Sequence, residues 1–303
     1  MKLSFLLVSV CILLPASLPP MLRAEGGASG MAFLKLGGSA RGAALADALG
    51  VLSSGPEAPF YNPAGVRDSS SRILLLHRAW TLDAAADLLA ASSPAGDRVG
   101  LALALHTVAI PGIEIRTRPG TPEGTFTGRN YALGLSVSYS VSEDVAVGAT
   151  GKLLYEKILV DEATGFGMDL GMRWGDPRRG FAFGIQCANI GAMSPLKNER
   201  TVLPLLFRAG GARTFALDDR WELSGAADFV HRAHEGKSGL GTGLEAVYDG
   251  ILAARGGYRF GEETKGLSLG LGVRRGFVSF DYAFVPSGGE LGATHIMALS
   301  LSL

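Results

Sequence analysis

The chain has 303 residues, 47% hydrophobic and only 18% charged, and its 28 basic residues equal its 28 acidic ones. A formal net charge of zero leaves no electrostatic footprint for nucleic acid and none for an acidic partner. Glycine, at 43 residues, is well above average usage, yet it follows no collagen triplet and does not sit in polar linkers; tightly turned, crowded β-structure fits it.

Residues 1 to 24 read as a secretory signal peptide: Lys2, an apolar run from Leu3 to Leu14, then Pro15, Pro19, Pro20 and the small Ala24. Leu22 is larger than the residue expected two positions before such a cut, so cleavage can fall a few residues either way. The apolar run is shorter than the about 20 residues that span a bilayer as a helix. Lipidation at Cys11 is disfavoured by the bulk of Val10 and by the early position. Removal of the segment leaves Cys187 alone, which rules out an intramolecular disulfide and a zinc site of the cysteine type.

Beyond the signal no run of 18 apolar residues occurs, and the pattern has a period of two. Tyr131, Leu133, Leu135, Val137, Tyr139 and Val141 alternate with Ala132, Gly134, Ser136, Ser138, Ser140 and Ser142, so in a strand the two sets face opposite ways. The alternation returns at Phe166 to Trp174, Phe181 to Ile185, Trp221 to Phe229, Leu267 to Val273 and Val278 to Phe284. A soluble sandwich also alternates, but its polar face meets bulk water and has no need of so much Gly and Ala. Small residues crowding the polar face suit a confined lumen with the bulky set facing lipid.

In chain order the expected strands are 72–80, 84–92, 98–109, 129–142, 144–157, 165–175, 180–190, 204–215, 220–231, 238–248, 251–260, 266–275, 276–285 and 293–303. These expectations describe an all-β, transmembrane, antiparallel up-and-down β-barrel of about 14 strands, with twelve and sixteen also open, and lengths that match tilted membrane strands. The domain expectation is a signal at 1–24, a small N-terminal helical plug or hatch at 25–71 and the barrel at 72–303. Links at 142–144 and 249–250 are expected as periplasmic turns, and Pro111 to Gly128 and Gly191 to Val202 as external loops. His295, Met297, Leu299, Leu301 and Leu303 alternate to the last residue, so the chain ends inside a strand. This end resembles the signal read by the outer-membrane assembly machinery, with Leu303 in place of the usual aromatic residue.

The stretch Phe33-Leu34-Lys35-Leu36-Gly37-Gly38-Ser39-Ala40-Arg41-Gly42-Ala43-Ala44-Leu45-Ala46-Asp47-Ala48, followed by Pro59-Phe60-Tyr61-Asn62-Pro63-Ala64-Gly65, resembles the PorV/PorQ family. The resemblance implies a plug segment, a short helix and an Asn-Pro-Ala-Gly element ahead of a barrel similar to the FadL long-chain fatty acid channel. Ala46-Asp47 departs from the pattern, which more often has Gly-Gly or Gly-Ala there, and so does Ser53-Ser54-Gly55-Pro56. Asn62, Pro63, Ala64 and Gly65 are expected to form a rigid corner, Asn62 capping a turn and Pro63 fixing the backbone. Arg41 is the plug's candidate partner for a luminal acid among Asp169, Glu222, Asp228, Glu245 and Asp281, because a confined charge needs a counter-charge. With Lys152, Glu156, Arg173, Arg208, Arg255, Arg259 and Arg274 these acids form a mixed set expected to pair and fill the lumen, unlike a wide ion-selective pore.

Chemistry of other kinds finds no support. No Gly-x-Ser-x-Gly element, His-Glu-x-x-His helix or phosphate-cradling loop is present, and His77, His106, His231, His234 and His295 are scattered. Enzymatic activity, a metal and a cofactor are therefore not expected. The resemblance implies passive passage of small hydrophobic molecules across the bacterial outer membrane. The alternative is a PorV-like scaffold that binds secreted proteins or secretion-system components. Expected partners are outer-membrane lipid, the assembly machinery during insertion, and a hydrophobic small molecule or secreted proteins; nucleic acid is not among them.

Overall fold

The computed structural model describes residues 29–80, 83–197, 199, 201–261, 266–286 and 292–303; the expected signal at 1–24 lies outside these. Fourteen strands form one closed barrel in which each strand pairs antiparallel with the next and the last returns to the first. They are β1 Arg72–Ala79, β2 Ala85–Pro94, β3 Val99–Ile115, β4 Gly124–Ser140, β5 Val145–Ile158, β6 Asp161–Trp174 and β7 Ala182–Met193. The circuit continues with β8 Leu206–Ala216, β9 Trp221–Arg232, β10 Lys237–Tyr248, β11 Leu252–Phe260, β12 Leu267–Arg275, β13 Val278–Pro286 and β14 Ala293–Ser302. Arg72 pairs with Ser302, so the barrel's two ends lie side by side on one rim, here the lower one. The Asp249-Gly250 link is on that rim, with φ of 54° and 65° at its two residues, the positive values that a tight hairpin turn demands.

The period of two explains the wall. Leu101, Leu103, Leu105, Leu133, Leu135, Leu153, Phe166 and Leu271 point outward and are exposed, while Ala102, Ala104, Ala132, Ser136 and Thr150 point inward and are buried. A continuous apolar exterior of this extent has no place in water and matches hydrocarbon. Aromatic side chains gather at two heights. Near the lower rim Trp174 lies tilted beside Phe183 at 6.3 Å and Trp221 beside Tyr248 at 4.9 Å; nearer the upper rim Tyr131 meets Tyr155 at 5.9 Å and Tyr258 meets Phe260 at 4.7 Å. Such paired girdles mark the two membrane interfaces.

One expected loop is largely strand. Between Pro111 and Gly128 pairing continues beyond the membrane as Ile113–Phe126, Glu114–Thr125 and Ile115–Gly124, after a bulge between Ile110 and Ile113. The bulge takes up Pro111, which has no N–H to donate, and Gly112, whose φ is 72°. Proline and glycine there mark an irregularity inside a hairpin, and the connection proper is 116–123. Likewise β7 runs on to Met193, shortening the second expected loop.

Residues 29–67 lie inside the barrel, and 68–71 lead out along the lower rim to β1. A 3-10 turn (Ala32–Lys35) lies near the upper rim, the helix α1 (Ala40–Ala44) packs on β11 to β14, and 3-10 turns at Gly55–Phe60 and Pro63–Gly65 descend past β1 to β6. Luminal glycines make this possible. A Cβ at Gly171 would overlap the Asn62 side chain, at Gly148 the Pro63 carbonyl, and at Gly270 the Ala44 side chain. The glycine on the inward face is thus the footprint of the plug, a closer cause than the convergence of strands alone.

Candidate functional site

The plug is held in two different ways along its length. Its body, from Ser39 to Arg67, is tied by charge and hydrogen bonding in addition to the apolar packing of Ala40, Ala43, Ala44, Val51, Ala58 and Val66 on the wall. Arg41 grips Glu245 with two bonds, Nη2 to Oε1 at 2.7 Å and Nε to Oε2 at 2.9 Å, and also reaches Glu57 at 3.2 Å. Glu245 in turn accepts from Arg255 Nε at 2.6 Å, and Arg255 bonds Asp281 at 2.6 Å, giving a buried chain of alternating charge across β10, β11 and β13. A buried charge network of this kind costs desolvation and is favourable only when every member is bonded, as here.

A second cluster surrounds Asp47. Its carboxylate pairs with Arg259 and accepts from the fully buried Tyr61 hydroxyl at 3.0 Å. Burial opposes ionisation of Asp47, but Arg259, Arg78 and Arg208 together hold its carboxyl well below the usual carboxylate range. Ala46 and Asp47 both adopt left-handed backbone, φ 54° and 59°, a conformation that glycine takes more easily. Here the strain is accepted and the side chain supplies the anion. Gly50 N–H donates to Asp228 at 2.7 Å, and Asp228 also pairs with Arg208 at 3.0 Å. Arg173 donates to the Val51 carbonyl at 3.3 Å, and Lys152 pairs with Asp169 at 2.6 Å.

Asn62 does more than cap its own turn. Its Oδ1 accepts from Ala64 N–H at 3.1 Å, while Nδ2 donates to the carbonyls of Met172 at 3.0 Å and Ile185 at 3.3 Å on two adjacent strands. Pro63, Ala64 and Gly65 are buried beside it, and the corner they form faces β4 to β6 in mid-chain of the plug, before the entry to β1. Asn62→Ala removes the cap and both wall ties, so a loss of about 1–3 kcal/mol is expected. It should show as faster proteolysis within 55–66 with the barrel's resistance to unfolding in detergent retained; an unchanged cleavage rate would refute the role.

Two of the expected luminal charges lie elsewhere. Glu222 and Arg274 share the inward parity but sit at the lower rim, Glu222 pairing with the exposed Arg178 at 3.3 Å and Arg274 exposed near the turn between β12 and β13. Parity fixes facing and leaves depth undetermined. Conversely Arg78, Asp47, Tyr61 and His106 belong to the site and were not singled out for it; an arginine in phase with the inward-facing Leu74 and Leu76 was the available signal for Arg78, which donates to the Gly37 carbonyl at 2.7 Å.

The upper segment, 29–36, is held differently. Met31 and Phe33 are buried in an apolar cluster with Val108, Leu154, Met193 and Leu203. Its polar ties among the described residues are to the upper links: Gly30 N–H to the Val202 carbonyl at 3.0 Å, and Ser29 and Lys35 to Glu235. Beneath it lies a cavity of about 40 Å³, room for about three waters. Leu34, Leu36, Phe60, Ala132, Ala188 and Leu206 give it an apolar wall, and His106, Lys152 and Gln186 a polar one.

No family model matches the chain and no curated protein matches it. Solved structures do. The CymD monoaromatic hydrocarbon channel aligns with a TM-score of 0.60 at 12% identity over 87% of this chain and 96% of that one. The toluene transporter TodX of P. putida aligns at 0.59 and 11% identity over 88% and 99%, and a FadL homologue of Pseudomonas aeruginosa at 0.52 and 13% over 87% and 97%. At such identities the likeness is one of fold, that of a closed outer-membrane β-barrel. It lends no support to membership of PorV/PorQ in particular.

Proposed function

We propose that the protein is a passive channel of the bacterial outer membrane that admits small hydrophobic molecules. The supporting observation lies within the plug: a cavity with one apolar and one polar wall lies at mid-depth, and what separates it from the upper mouth is the segment 29–36, whose polar ties among the described residues run to the upper links. The upper mouth, opposite the rim that carries the barrel's two ends, is taken as the external one, as suits a barrel with a tight turn such as Asp249-Gly250 below. Displacement of 29–36 would open an apolar route to the cavity while the charged ties keep the body of the plug in place. Two of the channels similar in fold are named for hydrocarbons, which agrees with this reading. No observation favours a secretion scaffold.

The test is uptake of labelled toluene by cells whose outer membrane carries the protein, compared with the same cells carrying an empty vector. A several-fold faster uptake at low external concentration is expected, because lipopolysaccharide is the barrier that such a channel bypasses. Equal rates, with the folded barrel demonstrated in the membrane, would overturn the proposal.

A further inference from the structure

His106 is 5% exposed, lines the cavity, and has no hydrogen-bond partner among the described residues. Phe33 and Phe60 flank it edge-on, with centroids at 5.1 and 5.8 Å and interplanar angles of 64° and 90°. An imidazole on a cavity wall presents to the cavity's occupant one ring nitrogen that offers a proton and another that offers a lone pair. The charged groups on the cavity wall are already engaged, and Gln186 accepts from Arg208 at 3.4 Å. Lys152 is neutralised by Asp169 and further bonded to Asn189 at 2.8 Å, and Arg208 is neutralised by Asp228. The wall therefore carries no spare charge for a carboxylate or an amine.

On the reading that the barrel passes small hydrophobic molecules, we propose that this cavity selects a neutral single-ring compound bearing one hydroxyl, a phenol, with the hydroxyl bonded to His106. The ring would lie against Phe60, Leu34 and Leu36. The cavity as it stands holds about three waters, too few for a ring. Leu34 and Leu36 must shift to admit one, and they lie in or beside the segment assigned above to opening. A pure hydrocarbon of the same shape leaves the imidazole unbonded and forfeits the hydrogen bond, a difference of about tenfold in affinity.

The experiment is calorimetric or fluorescence titration of the purified full barrel in detergent with p-cresol and with toluene. The expected result is p-cresol binding about tenfold tighter than toluene, with the preference lost in His106→Leu and largely kept in His106→Gln, which retains hydrogen-bonding capacity. Gel mobility before and after heating shows that each variant is folded. Equal affinities in the unmodified protein, or a preference that survives His106→Leu, would overturn the proposal and leave His106 as a residue satisfied by trapped water. Binding of both compounds with no preference refutes the hydroxyl selection alone, whereas a folded barrel that binds neither and speeds uptake of neither refutes the channel reading as well.

Discussion

Glu245→Ala is expected to release the body of the plug while leaving the barrel closed. Glu245 is 4% exposed and accepts three hydrogen bonds, two from Arg41 and one from Arg255, so its loss strands two guanidinium groups away from bulk water. Breaking a buried pair from one side typically costs about 3–5 kcal/mol, because the remaining charge keeps its desolvation penalty without its partner. The lower end of that range applies here, since Arg41 retains Glu57 and Arg255 retains Asp281. The barrel's own ladder does not pass through this contact, so heated and unheated samples should still migrate differently on a gel. Protease digestion within 39–66 should become fast, and single-channel conductance in planar bilayers should rise. Adding Arg41→Gln to Glu245→Ala should cost less than the sum of the two single changes, as coupled partners do. A Glu245→Ala protein with unaltered digestion and conductance would mean that the charged ties do not hold the plug.

The wall was legible because each strand must present one face to lipid and the other to the lumen, and that demand writes a period of two into nearly every segment from Arg72 onward. All fourteen expected strands have a counterpart in the barrel, with ends that differ by a few residues. The exception of consequence, 111–128, shows the limit: Pro111 and Gly112 read as a loop, whereas the bulge absorbs them and Ile113, Ile115 and Phe126 resume pairing. Ion pairing in the lumen was legible as a need and opaque in detail. That Arg41 would seek an acid follows from confinement, but the choice of Glu245 depends on height and on position around the barrel. Neither is encoded by alternation, as Glu222 and Arg274 at the rim make plain. Asp47 stood out as a departure from a glycine-rich pattern, yet its role as the anion of a second cluster needs Arg78 and Arg259 from opposite sides of the β1–β14 seam, a closure that only the folded barrel provides. His106 looked like one of five scattered histidines because its meaning lies in what fails to contact it.

Locking segment 29–36 to the barrel is expected to stop transport without disturbing the fold. A Cβ built on Gly30 would lie 3.6 Å from Thr201 Cβ, within the separation that a disulfide requires, and Gly30 already bonds the neighbouring Val202 carbonyl. Thr201 Cγ2 is the atom that crowds the added Cβ, and Thr201→Cys removes it. Gly30→Cys with Thr201→Cys, in a Cys187→Ser background that leaves no competing thiol among the described residues, thus yields one bridge between the segment and the link from β7 to β8. Under oxidising conditions uptake of toluene should fall at least tenfold, and a reductant should restore it in the same cells. Because the bridge joins groups already in contact, unfolding of the oxidised barrel should be no easier than that of the reduced one. Transport that persists at full rate through quantitatively oxidised protein would show that hydrophobic molecules do not pass beneath a lifted 29–36 segment, and would send the route through the wall or past the plug body instead. The same bridge bears on selection at His106: with the segment fixed, Leu34 and Leu36 cannot withdraw, so a ring-sized ligand should lose access to the cavity along with the path.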